Sequence, residues 1–187
     1  MKKYLTLHNV ILCCAAFVGL LFFGLSFAAK TSVTSEGVTE FYNGSVWGAY
    51  QTSGTVQGIV ITMEIPAESR ACFPLPLIGF ILLLVGALGA LCVGLLVKDE
   101  KIKKIVLLSC AGLVLVGGVF QFFNAENYYY AAAKLHEMTV EEIKQSMAQY
   151  GIKPTTGALC IISGIFSILA AGGIGLVPFI KDKPLVK

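Results

Sequence analysis

Four stretches of this chain, residues 10–29, 73–97, 105–123 and 157–180, are apolar and contain no Asp, Glu, Lys, Arg or His. A helix needs about 20 such residues to cross a hydrocarbon layer of about 30 Å, and each stretch is long enough. Composition points the same way. Of the 187 residues 56% are hydrophobic and only 13% charged, against about 25% charged in an average soluble domain. A water-soluble globule of this size needs more polar surface. A disordered chain would be poor in apolar residues and rich in charge. The net charge of +3 is small and divided among separate clusters, which argues against nucleic-acid binding. The expected fold is an all-α membrane protein, a four-transmembrane-helix bundle with a small extracytoplasmic antiparallel β-sheet and a short extracytoplasmic helix. Its first partner is the lipid bilayer.

The connecting segments differ in charge. Residues 1–9, 98–104 and 181–187 hold nine lysines against three acids. Residues 30–72 and 124–156 hold five basic residues against eight glutamates. Cytoplasmic loops carry the Lys/Arg excess, so the expected protein is multi-pass in the cell membrane with both termini cytoplasmic. Met1, Lys2 and Lys3 ahead of an apolar run also open a secretory signal peptide, with Ser26 to Ala28 resembling a small-x-small cleavage site. The apolar run of about 20 residues exceeds the 7–15 of a signal core and reads instead as a retained anchor.

The outer segment 30–72 reads as β structure. Val38 to Tyr42 and Ser45 to Tyr50 flank Asn43-Gly44, a pair suited to a two-residue hairpin turn. Thr55 to Ile65 reads as a third strand whose alternation is only partly two-faced. Asn43-Gly44-Ser45 also matches a glycosylation sequon, although the turn accounts for the same residues. In segment 124–156, Thr139 to Glu142 form a capping box, with Met138 and Ile143 at the positions of a hydrophobic staple. Gly151 is placed to end that helix, with Pro154 following. Residues from Asn124 to Leu135 can extend the third span. That would put Tyr128, Tyr129 and Tyr130 at headgroup level, where amphipathic rings are favoured.

The clearest packing signal is small residues at four-residue spacing: Gly86, Ala90 and Gly94 in the second span, and Ser163, Ser167, Ala171 and Gly175 in the fourth. Such stripes let helix backbones approach closely, within one bundle or between copies in a homo-oligomer. Cys13, Cys14, Cys92 and Cys110 fall at a similar depth near the inner boundary. They read as small contact residues, the alternatives being a thiolate metal site or a palmitoylation cluster. Cys72 lies outside the spans. His8 and His136 fall on opposite sides and cannot share a site. Glu126, near Gln121 and Asn124, sits where polar groups hydrogen-bond across helices or line a cavity. No catalytic, phosphate-cradling or cofactor motif is present, so the chain reads as non-enzymatic and cofactor-free.

The layout resembles claudin-like tetraspan proteins: four helices, inner termini, a longer β-rich first outer loop and a shorter helical second one. Claudin-like first loops carry Trp followed by Gly-Leu-Trp and a cysteine pair, whereas here Trp47-Gly48 stands alone. Junction or pore function is therefore not carried over. The expected role is that of a structural, accessory or interaction protein whose extracytoplasmic cap binds a membrane or extracytoplasmic protein, with Trp47, Tyr50, Tyr128, Tyr129 and Tyr130 as contact residues. An oligomeric channel or transporter component is the alternative.

Overall fold

The computed structural model describes residues 6–35, 38–48, 51–56, 59–70 and 72–181. It is mostly helical, with four helices long and apolar enough to cross a membrane and a small antiparallel sheet. The chain divides into two compact units: residues 1–24, 78–119 and 163–187 form one, and residues 25–77 and 120–162 the other.

The first unit is built from α1 (Leu7–Leu25), α2 (Pro74–Leu96), α3 (Glu100–Gln121) and α6 (Ala158–Leu176), each through the part that falls within it. Polar caps start two of them. The Thr6 hydroxyl accepts from the Asn9 N–H, and Asp99 accepts from the N–H groups of Lys101 and Ile102. Each cap satisfies N–H groups that lack an intrahelical partner. Small residues then set the order of the helices. A Cβ placed on Gly19 of α1 would lie 2.9 Å from Ala87 of α2. One on Gly117 of α3 would lie 2.6 Å from the Gly79 carbonyl of α2, and one on Gly118 would lie 2.8 Å from Ser167 of α6. Gly173 of α6 faces Ile11 of α1 at 3.3 Å, closing the ring α1–α2–α3–α6. Leu12, Phe80, Leu83, Leu107, Val114 and Ile174 fill its interior. Phe17, Leu20, Val85 and Leu169 are exposed on the outside, so these helices are apolar all round.

The second unit holds a five-stranded antiparallel sheet of order β4-β3-β2-β1-β5. Its strands are β1 (Lys30–Ser35), β2 (Val38–Asn43), β3 (Gln51–Val56), β4 (Ile59–Glu64) and β5 (Lys153–Thr156). Two helices accompany it, α4 (Glu126–His136) and α5 (Val140–Gln149), with a 3-10 turn at Phe122–Ala125 before α4. The sheet differs from the sequence expectation in four places. Thr55 to Ile65 is not one strand: β3 ends at Val56, β4 begins at Ile59, and the two pair antiparallel through Val56↔Ile59, which satisfies the backbone groups of both halves. The segment from Ser45 is a 3-10 turn, Ser45–Trp47, rather than a strand. Gly44 does take the left-handed conformation suited to Asn-Gly, but tertiary bonds to Ser45 then redirect the chain. β1 and β5 were not anticipated. β1 is rich in Thr and Ser, and its alternation shows only in burial, with Thr31 and Val33 inside.

The helical segment follows the capping signals. The Thr139 hydroxyl accepts from the Glu142 N–H and the Glu142 carboxylate accepts from the Thr139 N–H. Ile143, Met147 and Ala133 form a small core beneath Tyr128 and Tyr129. Of the staple pair, Ile143 is buried while Met138 is exposed. Gly151 has φ +66°, a left-handed value that costs a non-glycine residue energy, and it follows α5 as expected.

Candidate functional site: an open sheet edge and the cleft beside it

Antiparallel partners that sit directly opposite share a face of the sheet. The registers Thr31↔Tyr42, Tyr42↔Thr52 and Thr52↔Met63 therefore set four side chains in one row across the strands. Tyr42, Thr52 and Met63 of this row, with Tyr128, Ala131, Ala132 and Leu135 of α4 and Met147 of α5, line a cleft of about 420 Å³. The cleft exists because α4 presents alanines here, which leave space beside the larger residues around them. Glu64 and His136 add polar groups at its wall. Thr52 contributes a buried hydroxyl with no hydrogen-bond partner among the described residues. An apolar cavity with a few polar groups is the usual form of a binding site.

The Tyr42 and Tyr128 rings meet edge to face at 4.9 Å, an arrangement worth about 0.5–1.5 kcal/mol beyond burial. Burial, and then the neighbouring Tyr128, push the Tyr42 phenol above its ordinary value. It stays protonated and donates to the Glu40 carboxylate. Lys144 of α5 bridges to Glu126 of α4 at 2.7 Å, and that bond holds the lysine above its usual range.

Beside the cleft runs β4, the last strand on its side of the sheet. Ile59 (67% exposed), Ile61 (47%) and Met63 (61%) make one face of it apolar, Val60 (69%) stands beside Thr62 and Glu64 on the other, and both faces are open. Natural sheets blunt such edges with charges, proline or short length. The opposite edge follows that rule: β5 has four residues, including Lys153 and Pro154. β4 has six residues, and Glu64 is its single charge.

A buried polar knot secures the sheet near this site. Asn124 donates to the Lys30 carbonyl (3.2 Å), Thr31 Oγ1 (3.3 Å) and Ser45 Oγ (2.9 Å). Its own carbonyl oxygen accepts from Ser45 Oγ and from Asn127 Nδ2. Asn127 also donates to the Ser45 carbonyl and accepts from the Phe73 N–H.

The expected contact residues are dispersed. Tyr128 lines the cleft. Tyr129 packs on the α4–α5 core with Lys144 5.1 Å from its ring centre, and Tyr130 leans on Phe73. Trp47 stacks on Phe27 at 4.6 Å and donates to Ser26 Oγ, so it braces its own turn. Tyr50 lies outside the described residues. The β4 side chains were not among the expected contact residues, although the apolar alternation Ile59, Ile61, Met63 and Ile65 is present in the sequence.

Among the packing residues, Gly86 of α2 meets Val114 and Cys110 of α3, and Gly94 meets Leu12 of α1. Ala90, Ser163, Ser167 and Ala171 are buried, with Ser167 donating to the Ser163 carbonyl. Gly175 faces Ala111 at 3.7 Å. Cys13, Cys14 and Cys92 are exposed, whereas Cys110 is buried against Gly89. Among the described residues no three His, Cys, Asp or Glu side chains gather as a metal site. Cys72 donates to the Val46 carbonyl at 2.8 Å, and burial pushes its thiol up, away from the reactive thiolate. No protein-family model matches the chain, and no curated protein does.

Proposed function

We propose that this protein is a four-span membrane protein with both termini cytoplasmic, acting by binding another protein rather than by catalysis. An extended segment of the partner adds to β4, and one of its apolar side chains enters the cleft beside Met63. The observation that carries this reading is β4 itself, a terminal strand with four exposed apolar side chains, while the other edge of the sheet is blunted. Strand addition draws affinity from backbone hydrogen bonds and specificity from pockets for alternate side chains. The span assignment rests on the four long apolar helices. The orientation rests on the lysine excess of residues 1–9, 98–104 and 181–187.

A homo-oligomer is a second reading, favoured by the strand's own pattern. Antiparallel pairing of two β4 strands about Ile61 sets Ile59 of each copy opposite Met63 of the other, with no charge between them. A photo-reactive residue at position 61, used in native membranes, tests both. A crosslink of constant mass to one other protein supports the first reading, and a crosslink to a second copy supports the second. Lipid adducts alone would defeat strand addition.

A further inference from the structure

We propose that the first unit contains a binding site for a phosphate group, either the monoester headgroup of a lipid or free phosphate. The site is a cleft of about 370 Å³ lined by His8, Lys103 and Lys104 together with Glu100, and walled by Leu107, Val177, Pro178 and Ile180. It is separate from the sheet edge and does not depend on it. Two lysines line one small cavity, which suits a compact dianion. His8 lies in the first turn of α1, and Glu100 and Lys103 in the first turn of α3. Two helix N-termini therefore open near the cleft; the Asp99 carboxylate already caps that of α3, so the lysines and the end of α1 supply the positive charge.

His8 and Lys104 are held by neighbouring groups. His8 Nε2 donates to the Ile180 carbonyl at 2.9 Å, which satisfies one carbonyl oxygen following α6. The Lys104 ammonium sits 4.3 Å from the centre of the Phe179 ring, whose sequence neighbours Pro178 and Ile180 line the cleft. Glu100 precedes the two lysines by three and four residues, the spacing at which helical side chains meet. Its carboxylate lines the same cleft and competes with an arriving phosphate for the two lysines. The apolar wall suits the glycerol and upper acyl region of a lipid. Basic pockets between membrane helices bind anionic headgroups in this way.

The full chain, purified in non-ionic detergent, gives the test. Retention of phosphatidic acid is read by native mass spectrometry against phosphatidylcholine, and inorganic phosphate is titrated by phosphorus NMR. Lys103→Gln/Lys104→Gln should weaken phosphatidic acid retention by about tenfold and leave phosphatidylcholine unchanged. Glu100→Gln should strengthen retention, an effect that a merely damaged fold would not produce. Preferential retention of phosphatidic acid identifies a lipid headgroup as the source, and saturable binding of inorganic phosphate identifies the free anion. Either result supports the site if it depends on the two lysines. Equal retention of both lipids, equal binding by the double variant, or binding of neither probe would overturn it.

Discussion

Asn124→Ala should loosen the second unit more than any surface change, because Asn124 ties β1, the Ser45 turn and Asn127 together. Its side chain is fully buried and reaches the Lys30 carbonyl, Thr31, Ser45 and Asn127. Truncation removes both links to the buried Ser45 hydroxyl. Thr31 keeps its bond to the Asn124 backbone carbonyl, and Asn127 keeps its bond to the Ser45 carbonyl. One orphaned hydroxyl costs about 1–3 kcal/mol and the weakened partners about 0.5–1 kcal/mol each, giving about 3 kcal/mol. That is about a hundredfold in the folding equilibrium. Trp47, the single tryptophan, stands two residues from Ser45 and reports on this turn. Denaturant titration in detergent micelles, followed by its fluorescence, should show the midpoint fall with an unchanged slope. Asn124→Ala/Ser45→Ala should cost less than the two single changes added, because the orphaned hydroxyl is then gone. A loss below about 0.5 kcal/mol, or strict additivity, would refute the view that this knot holds the sheet.

Gly117→Ala places a methyl 2.6 Å from the Gly79 carbonyl and should destabilise the bundle by about 1–3 kcal/mol. Gly112→Ala meets nothing within 4 Å and should be neutral or slightly stabilising, both variants being compared by thermal melting in detergent. Glu137 ends α4 at φ 54°, a left-handed value, so Glu137→Gly should raise stability by about 1 kcal/mol in denaturant titration. The Glu142 carboxyl is held below the ordinary carboxylate range by the Thr139 N–H and hydroxyl. A lowered folded-state pKa means that its contribution is complete above the unfolded pKa and lost as pH falls through the folded one. Protection of the α5 amides, measured as exchange relative to the intrinsic rate at each pH, should therefore fall below about pH 4, and Thr139→Ala should remove that dependence.

The helices were legible because apolar length and missing charge are properties of each segment alone. The capping box and Gly151 were legible for the same reason, since their partners lie within a few residues. The sheet was less so. β1 pairs with β5 across more than a hundred residues, through Thr31↔Thr156, and a Thr/Ser-rich strand has no strong local pattern. At Asn43-Gly44 the local turn preference was met by Gly44, but bonds from Ser45 to Asn124 and Asn127 decided the path after it. Aromatic character pointed to Trp47 and Tyr129 as contact residues; the sequence did not show that Trp47 also stacks on Phe27 and Tyr129 packs on the α4–α5 core. The open edge depended on strand order, which no single segment encodes.

The claim that β4 is a docking edge is tested most directly by a photo-reactive side chain at Ile61 in native membranes, compared with one at Lys153 on the blunted edge. The expected result is a crosslink of constant mass from position 61 only, abolished by Thr62→Pro while the Trp47 fluorescence transition is unchanged. Equal crosslinking from both edges, or lipid adducts alone from position 61, would contradict it.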